Sequence, residues 1–144
     1  MLITNHVVAG AVIGAVAPGP TSAFVLGIAS HVVMDSLPHW GHDDYGIFTK
    51  VAVVDGLVGL ATLATLARAA SPNRRAAVVA GMLGACLPDA DKPSTLFFGR
   101  SPFPAWLDDV HGRIQNEAPE RMPYEAIGGL VGAALMRARL RRLR

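Results

Sequence analysis

The sequence predicts an all-α fold, an integral membrane bundle of about five helices forming one domain over residues 1–144. Three observations predict it. The chain is 51% hydrophobic and 17% charged with mean hydropathy +0.37, too apolar for an ordinary soluble domain of 144 residues. Apolar runs fall at about 5–17, 21–37, 51–70, 74–87 and 123–140. Proline and other turn-forming residues separate them.

The first run follows Thr4-Asn5-His6 and is rich in Gly and Ala, which suits close packing of membrane helices; Gly10-xxx-Gly14 is a contact signal of that kind. Pro18-Gly19-Pro20 turns the chain into the second run, with Thr21 or Ser22 as N-cap, and Pro38 stops it. The third run is the one that approaches the roughly 20 residues a bilayer requires. Ser71-Pro72-Asn73 separates it from the fourth, which Pro88 closes. Pro123 opens the fifth at a position helices tolerate. Gly128-xxx-Gly132 lies within it, and these Gly-xxx-Gly faces could also join copies of the chain into an oligomer. The short first and fourth runs are expected to be tilted, partly re-entrant or to thin the bilayer. The alternative is a soluble, unusually apolar helical bundle.

Charge predicts the orientation. Arg68, Arg74 and Arg75 flank the turn after the third run, and five of the thirteen basic residues lie between Arg137 and Arg144, so both regions are expected on the cytoplasmic side. The N-terminus, the 38–50 loop and the 88–122 segment then lie outside. Every Asp and Glu, from Asp35 to Glu125, and all five histidines fall at or near that outer end. Lys50, Lys92, Arg100, Arg113 and Arg121 also fall there, against the charge rule. The pI of about 9.1 does not imply nucleic acid, because the basic residues form no single patch. Met1 to Pro18 has no basic stretch of the kind that opens a cleavable signal peptide, and His6 interrupts it. Cys86 is alone, which rules out an intrachain disulfide.

Two hairpins, about 4–40 and 53–90, look related. His6-Val-Val-Ala-Gly10 aligns with Asp55-Gly-Leu-Val-Gly59, and Leu37-Pro38-His39 with Leu87-Pro88-Asp89. Hairpins repeated in one orientation imply a pseudo-twofold axis along the membrane normal. Such an axis would bring His6, His39, Asp55 and Asp89 together at one end of the bundle. Chance similarity in so simple a composition explains the match equally well.

The candidate chemistry sits at the same end. His31 and Asp35 share a helix face and His39 follows Pro38, giving two imidazoles and a carboxylate that suit zinc, manganese or iron. His42 is a substitute for His39, with Asp43 and Asp44 expected to be solvated. Asp89 and Asp91 follow the fourth run, where they could flank a cation or simply form a turn; Lys92 could meet an anionic substrate group or pair with an Asp. His6 and Asp55 interrupt apolar helices, where polar groups normally face the interior. His111 could complete a metal shell, donate a proton or be a surface residue. Trp40 and Trp106 suit a bilayer interface, and Phe97, Phe98 and Phe103 could make residues 93–106 a flap over the site. No Walker loop, dinucleotide glycine pattern, Gly-x-Ser-x-Gly elbow or His-Glu-x-x-His is present.

Thr4-Asn5-His6, His31-xxx-Asp35-xx-Pro38-His39 and Leu83-Gly-Ala-Cys-Leu-Pro88-Asp89-Ala-Asp91-Lys92-Pro93 together resemble the bacterial inner-membrane metal-dependent hydrolases. The His31-xxx-Asp35 spacing before Pro38-His39 is also similar to ligand spacing in zinc-dependent phospholipase C, which cleaves phosphodiesters. The resemblance implies a membrane-integral hydrolase acting on a phosphoester of a lipid or lipid-linked substrate. One or two ions, zinc first among them, would be held by His31, Asp35, His39 and Asp89. His6, Asp55 and Asp91 would be further ligands or stand behind them. Asp55 or Asp91 could act as general base, His111 as a proton donor, and Lys92 and Trp40 would meet the substrate. The alternatives are a non-enzymatic membrane metal-binding or transport protein, and a structural membrane subunit.

Overall fold

The computed structural model describes residues 1–143; Arg144, the last of the C-terminal arginines, lies outside the described residues. The fold is all-helical. Five long helices occupy the five apolar runs: α1 (Ile3–Val16), α2 (Pro20–Ser36), α3 (Tyr45–Ala69), α4 (Pro72–Cys86) and α7 (Met122–Arg142). Helix α3 starts ahead of its apolar stretch because Asp44 caps it, accepting the Ile47 N–H at 2.9 Å. The segment between Leu87 and Met122 holds two further helices, α5 (Asp91–Phe98) and α6 (Ala105–Ile114), and two 3₁₀ turns, Leu87–Ala90 and Pro119–Arg121. Gly99, with φ +72°, closes α5 in the left-handed conformation that glycine adopts without strain.

Helix α4 is wedged between α1 and α2. Glycine makes this possible. A Cβ on Gly10 or on Gly27 would collide with the Gly81 carbonyl, so the three backbones touch where these residues meet. The Gly10-xxx-Gly14 face is therefore spent inside the chain, because Gly14 packs in the same way on Ala77 and Val78. Gly132 faces Val8 of α1, whereas Gly128 has open space around it. Both hairpins run in the same sense, but the packing is not twofold. Such an axis would have α2 meet α3 as α1 meets α4, and α2 and α3 scarcely touch.

The two ends of the bundle differ. At one, Arg74 donates to the carbonyls of Gly14 and Ala17 at 2.9 and 2.7 Å, and Arg75 to Ala67 at 3.0 Å. These guanidinium groups satisfy carbonyls that helices α1 and α3 leave free at their C-termini. A core of Val7, Ala11, Leu66, Val78, Met82, Met136 and Leu140 fills the interior. The other end buries the polar residues Thr4, His6, His31, Asp35, His39, Asp89 and Glu125, beside Leu2 and Trp40.

Helix α3 is long and apolar enough to cross a membrane, yet only 6% of its apolar window is buried inside the fold. Val54, Leu57 and Leu60 on α3 are more than half exposed, as are Val25 and Val33 on α2 and Ile127, Leu130 and Leu135 on α7. The bundle therefore carries polar groups inside one end and many large aliphatic groups on its outer surface.

Candidate metal centre

Four chain segments build the centre. His31 and Asp35 are one turn apart on α2, so their side chains stack along one face. Pro88 breaks α4 into a 3₁₀ turn that brings Asp89 back toward α2. Helix α6 then lies against the end of α2 and inserts His111. The fourth segment, α1, presents His6.

His31, Asp35, Asp89 and His111 each offer one ligand atom, and these atoms lie within 4.8 Å of one another. His31 Nε2 is 3.0 Å from Asp35 Oδ2, 3.1 Å from His111 Nε2 and 3.9 Å from Asp89 Oδ1. His111 Nε2 is 3.2 Å from Asp35 Oδ2 and 3.6 Å from Asp89 Oδ1. A tetrahedral ion with bonds of roughly 2.0–2.2 Å sets its ligand atoms about 3.3–3.6 Å apart, so the group could hold a metal ion.

The backbone hydrogen bond of His31 agrees with that donor set, while His111 Nε2 faces Asp35 Oδ2 at hydrogen-bond distance and would exchange its proton for an ion. His31 Nδ1 donates to the Ala85 carbonyl at 2.8 Å, which leaves Nε2 with its lone pair toward the group. His111 turns Nδ1 toward Asp91 Oδ2 at 3.9 Å while Nε2 faces the group. Lys92 donates to Asp89 Oδ1 at 2.5 Å, and the Met1 amino group lies 3.3 Å from Asp35 Oδ1. Burial works against the charge on Asp89, but Lys92, His6 and His31 outweigh it and hold the carboxyl below its usual range. Burial pushes Asp91 above that range, against the pull of Lys92 and His111. Its Oδ1 is buried without a hydrogen-bond partner.

His39, expected among the ligands, stands behind them. Gln115 donates through Nε2 to Asp35 Oδ2 at 2.9 Å, which fixes its amide so that Oε1 faces His39 Nε2 at 2.9 Å. His39 Nδ1 faces the Leu37 carbonyl at 2.8 Å, and Glu117 Oε1 lies 3.7 Å from Nε2. Both ring nitrogens thus face acceptors and need a proton, so His39 has no lone pair to give a metal. Burial lowers its pKa, but Glu117 and the Leu37 carbonyl outweigh burial and raise it above the ordinary value. Glu117 is lowered in turn, chiefly by the nearby His39 imidazole. His42 is spent locally, accepting the Asp44 N–H at 3.0 Å.

Asp55, expected as a general base, lies outside the group. Its carboxylate accepts from the backbone N–H groups of Ile3 and Thr4 and from Thr4 Oγ1 at 2.6 Å, capping α1 from a neighbouring helix. The residue that precedes α1, Leu2, has no side chain able to do so. Trp40, expected at the substrate, is 5% exposed and stacked on Phe48. Its backbone N–H donates to Glu125, which also accepts from Leu2 N at 2.7 Å and Asn5 Nδ2 at 3.2 Å. Lys92 does reach the centre, 30% exposed at its edge, with exposed Phe97, Phe98 and Trp106 on the adjoining helices. Gln115 and Glu125 carried no motif; the one available signal was an acid near the start of an apolar helix at Glu125.

No family model, curated protein or solved structure matches this chain. The centre is read on its own chemistry: a buried group of two histidines and two aspartates, with a third aspartate and a lysine beside it.

Proposed function

We propose that the protein is a membrane-integral metal-dependent hydrolase that cleaves a phosphoester of a lipid or lipid-linked substrate. The observation that carries this reading is the group of His31, Asp35, Asp89 and His111 buried at one end of a bundle whose outside is aliphatic. Two carboxylates and two imidazoles are costly to bury in such a chain unless a cation compensates them. When bound, a zinc-like divalent ion polarises a phosphoryl oxygen and lowers the pKa of a water from roughly 15.7 to about 7.

The chain's own residues divide the remaining work. His31 is held by the Ala85 carbonyl with Nε2 toward the group, and Asp91 lies beside Nδ1 of His111. Asp91 Oδ1, buried and unpaired, is the base that takes the proton from the attacking water. Lys92 pairs with Asp89 and can turn its ammonium toward an anionic phosphate at the edge of the centre. Phe97, Phe98 and Trp106 suit the headgroup layer, so a lipid phosphate meets the centre without leaving the bilayer.

The α3 surface supports the membrane setting. A core helix of a soluble bundle is mostly buried, and α3 is not. We place the protein in the bacterial inner membrane, the acidic end extracytoplasmic and the arginine-rich C-terminus cytoplasmic. The test is hydrolysis of phospholipid and polyprenyl-phosphate substrates by detergent-purified protein. Activity should be lost on chelation and restored by zinc or manganese. Full metal content without hydrolysis of any phosphoester would favour the metal-binding or transport alternative.

A further inference from the structure

We infer that Asp35 and Asp89 serve a second cation seat on their opposite faces, completed by His6 Nε2, so that the two carboxylates bridge a pair of divalent transition-metal ions. The inference rests on the reading that the first group binds metal.

Each carboxylate is divided between two sets of imidazoles, with the Met1 amino group also 3.3 Å from Asp35 Oδ1 and Lys92 also on Asp89 Oδ1. Asp35 turns Oδ2 toward His31 and His111 at 3.0 and 3.2 Å, and Oδ1 toward His6 Nε2 at 3.1 Å. Asp89 turns Oδ1 toward His31 and His111 at 3.9 and 3.6 Å, and Oδ2 toward His6 Nε2 at 3.9 Å. No oxygen is shared between the two sets. A carboxylate using both oxygens in this way is the usual bridge in two-metal sites, whose ions lie about 3.5–4 Å apart.

His6 supplies the independent observation. It is 0% exposed, and neither ring nitrogen makes a hydrogen bond. Nε2 is close to Asp35 Oδ1, yet the contact is not aligned with the ring's N–H direction, so it is no hydrogen bond. A lone pair on Nε2 leaves the ring along that same direction. A buried imidazole whose nitrogen lies near two carboxylates and is hydrogen-bonded to neither is suited to a ligand not supplied by the protein. The rings of His6 and His31 are stacked with centroids 4.1 Å apart, so the two imidazoles stand side by side along the carboxylates.

The test uses the full chain in detergent, loaded with Mn²⁺ after chelation. Wild type should hold two manganese ions per chain by elemental analysis and give the exchange-coupled electron paramagnetic resonance spectrum of a bridged pair. His6→Gln should hold one ion and give the spectrum of isolated Mn²⁺, which also shows that the first seat has survived. Should that variant lose its helical circular dichroism, the coupled wild-type spectrum decides alone. One isolated ion in wild type overturns the second seat and leaves the proposed function standing. Two uncoupled ions, both retained in His6→Gln, overturn it by putting the second ion elsewhere. No ion at all in wild type overturns both readings.

Discussion

His6 lies stacked on His31, ring centroids 4.1 Å apart and planes 20° from parallel, with neither residue exposed. Two cationic rings cannot share that position, since both charges would be desolvated and would repel at close range. At least one of the two rings is therefore neutral, the form that binds a metal.

Metal should stabilise the fold. An ion that binds only the native state, present at 100 times its dissociation constant, adds about 2.7 kcal/mol. Chelation should lower the thermal midpoint of wild type in detergent, and zinc should restore it. In Asp35→Ala, which removes the carboxylate that meets all three imidazoles, chelation should leave the midpoint unchanged.

Asp55 and Asp91 should separate cleanly. Asp55→Ala removes the acceptor of the Ile3 and Thr4 donors and should cost about 1–3 kcal/mol of stability, with metal content retained. Asp91→Asn should keep stability and metal while hydrolysis falls by at least about 100-fold, the scale of general-base catalysis. Denaturation midpoints, elemental analysis and turnover on the same preparations check both.

The His39–Glu117 pair sets a pH window. His39 is raised on folding, so its contribution is complete below the ordinary imidazole value and is lost as pH rises through the folded one. Glu117 is lowered, so its contribution is complete above the ordinary carboxyl value and is lost as pH falls through the folded one. The pair is fully effective between about pH 4.3 and 6.5. Because Glu117 is 37% exposed, it contributes at most about 1 kcal/mol. The difference in thermal midpoint between wild type and Glu117→Gln should be largest in that window and shrink at higher pH.

The α1–α4 contact should tolerate no added methyl group. Gly81→Ala pushes a Cβ into the Gly10 carbonyl and should cost about 1–3 kcal/mol, the usual range for overpacking. Gly128→Ala, with open space at its Cβ, should be neutral or slightly stabilising. Urea or thermal denaturation of the two variants side by side checks the contrast.

The parts of this arrangement legible in the sequence are those carried by local rules. Hydrophobic runs and prolines located the five long helices, and the four-residue spacing put His31 and Asp35 on one face. Asp89 was legible because a Pro-Asp pair ends an apolar helix. The rest depends on contacts between distant segments. His111 sits on a helix whose apolar residues Leu107, Val110 and Ile114 are too few to mark a run, and only the fold-back of α6 brings it to Asp35. Asp55 is in the chain where an intramembrane functional carboxylate would be, yet it serves the bare N-terminus of α1, a need visible only when α1 and α3 are packed together. His39 has a ligand's spacing but is turned away by Gln115 and Leu37.

The most direct test of the central claim is X-ray absorption at the zinc edge of detergent-purified, zinc-loaded protein. A centre built from His31, Asp35, Asp89 and His111 predicts a first shell of nitrogen and oxygen at roughly 2.0–2.2 Å, with the outer-shell scattering of imidazole and no sulfur. His111→Ala should lower the imidazole contribution. A sulfur shell at roughly 2.3 Å, placing zinc on Cys86, or an oxygen-only shell without imidazole scattering, would contradict the account.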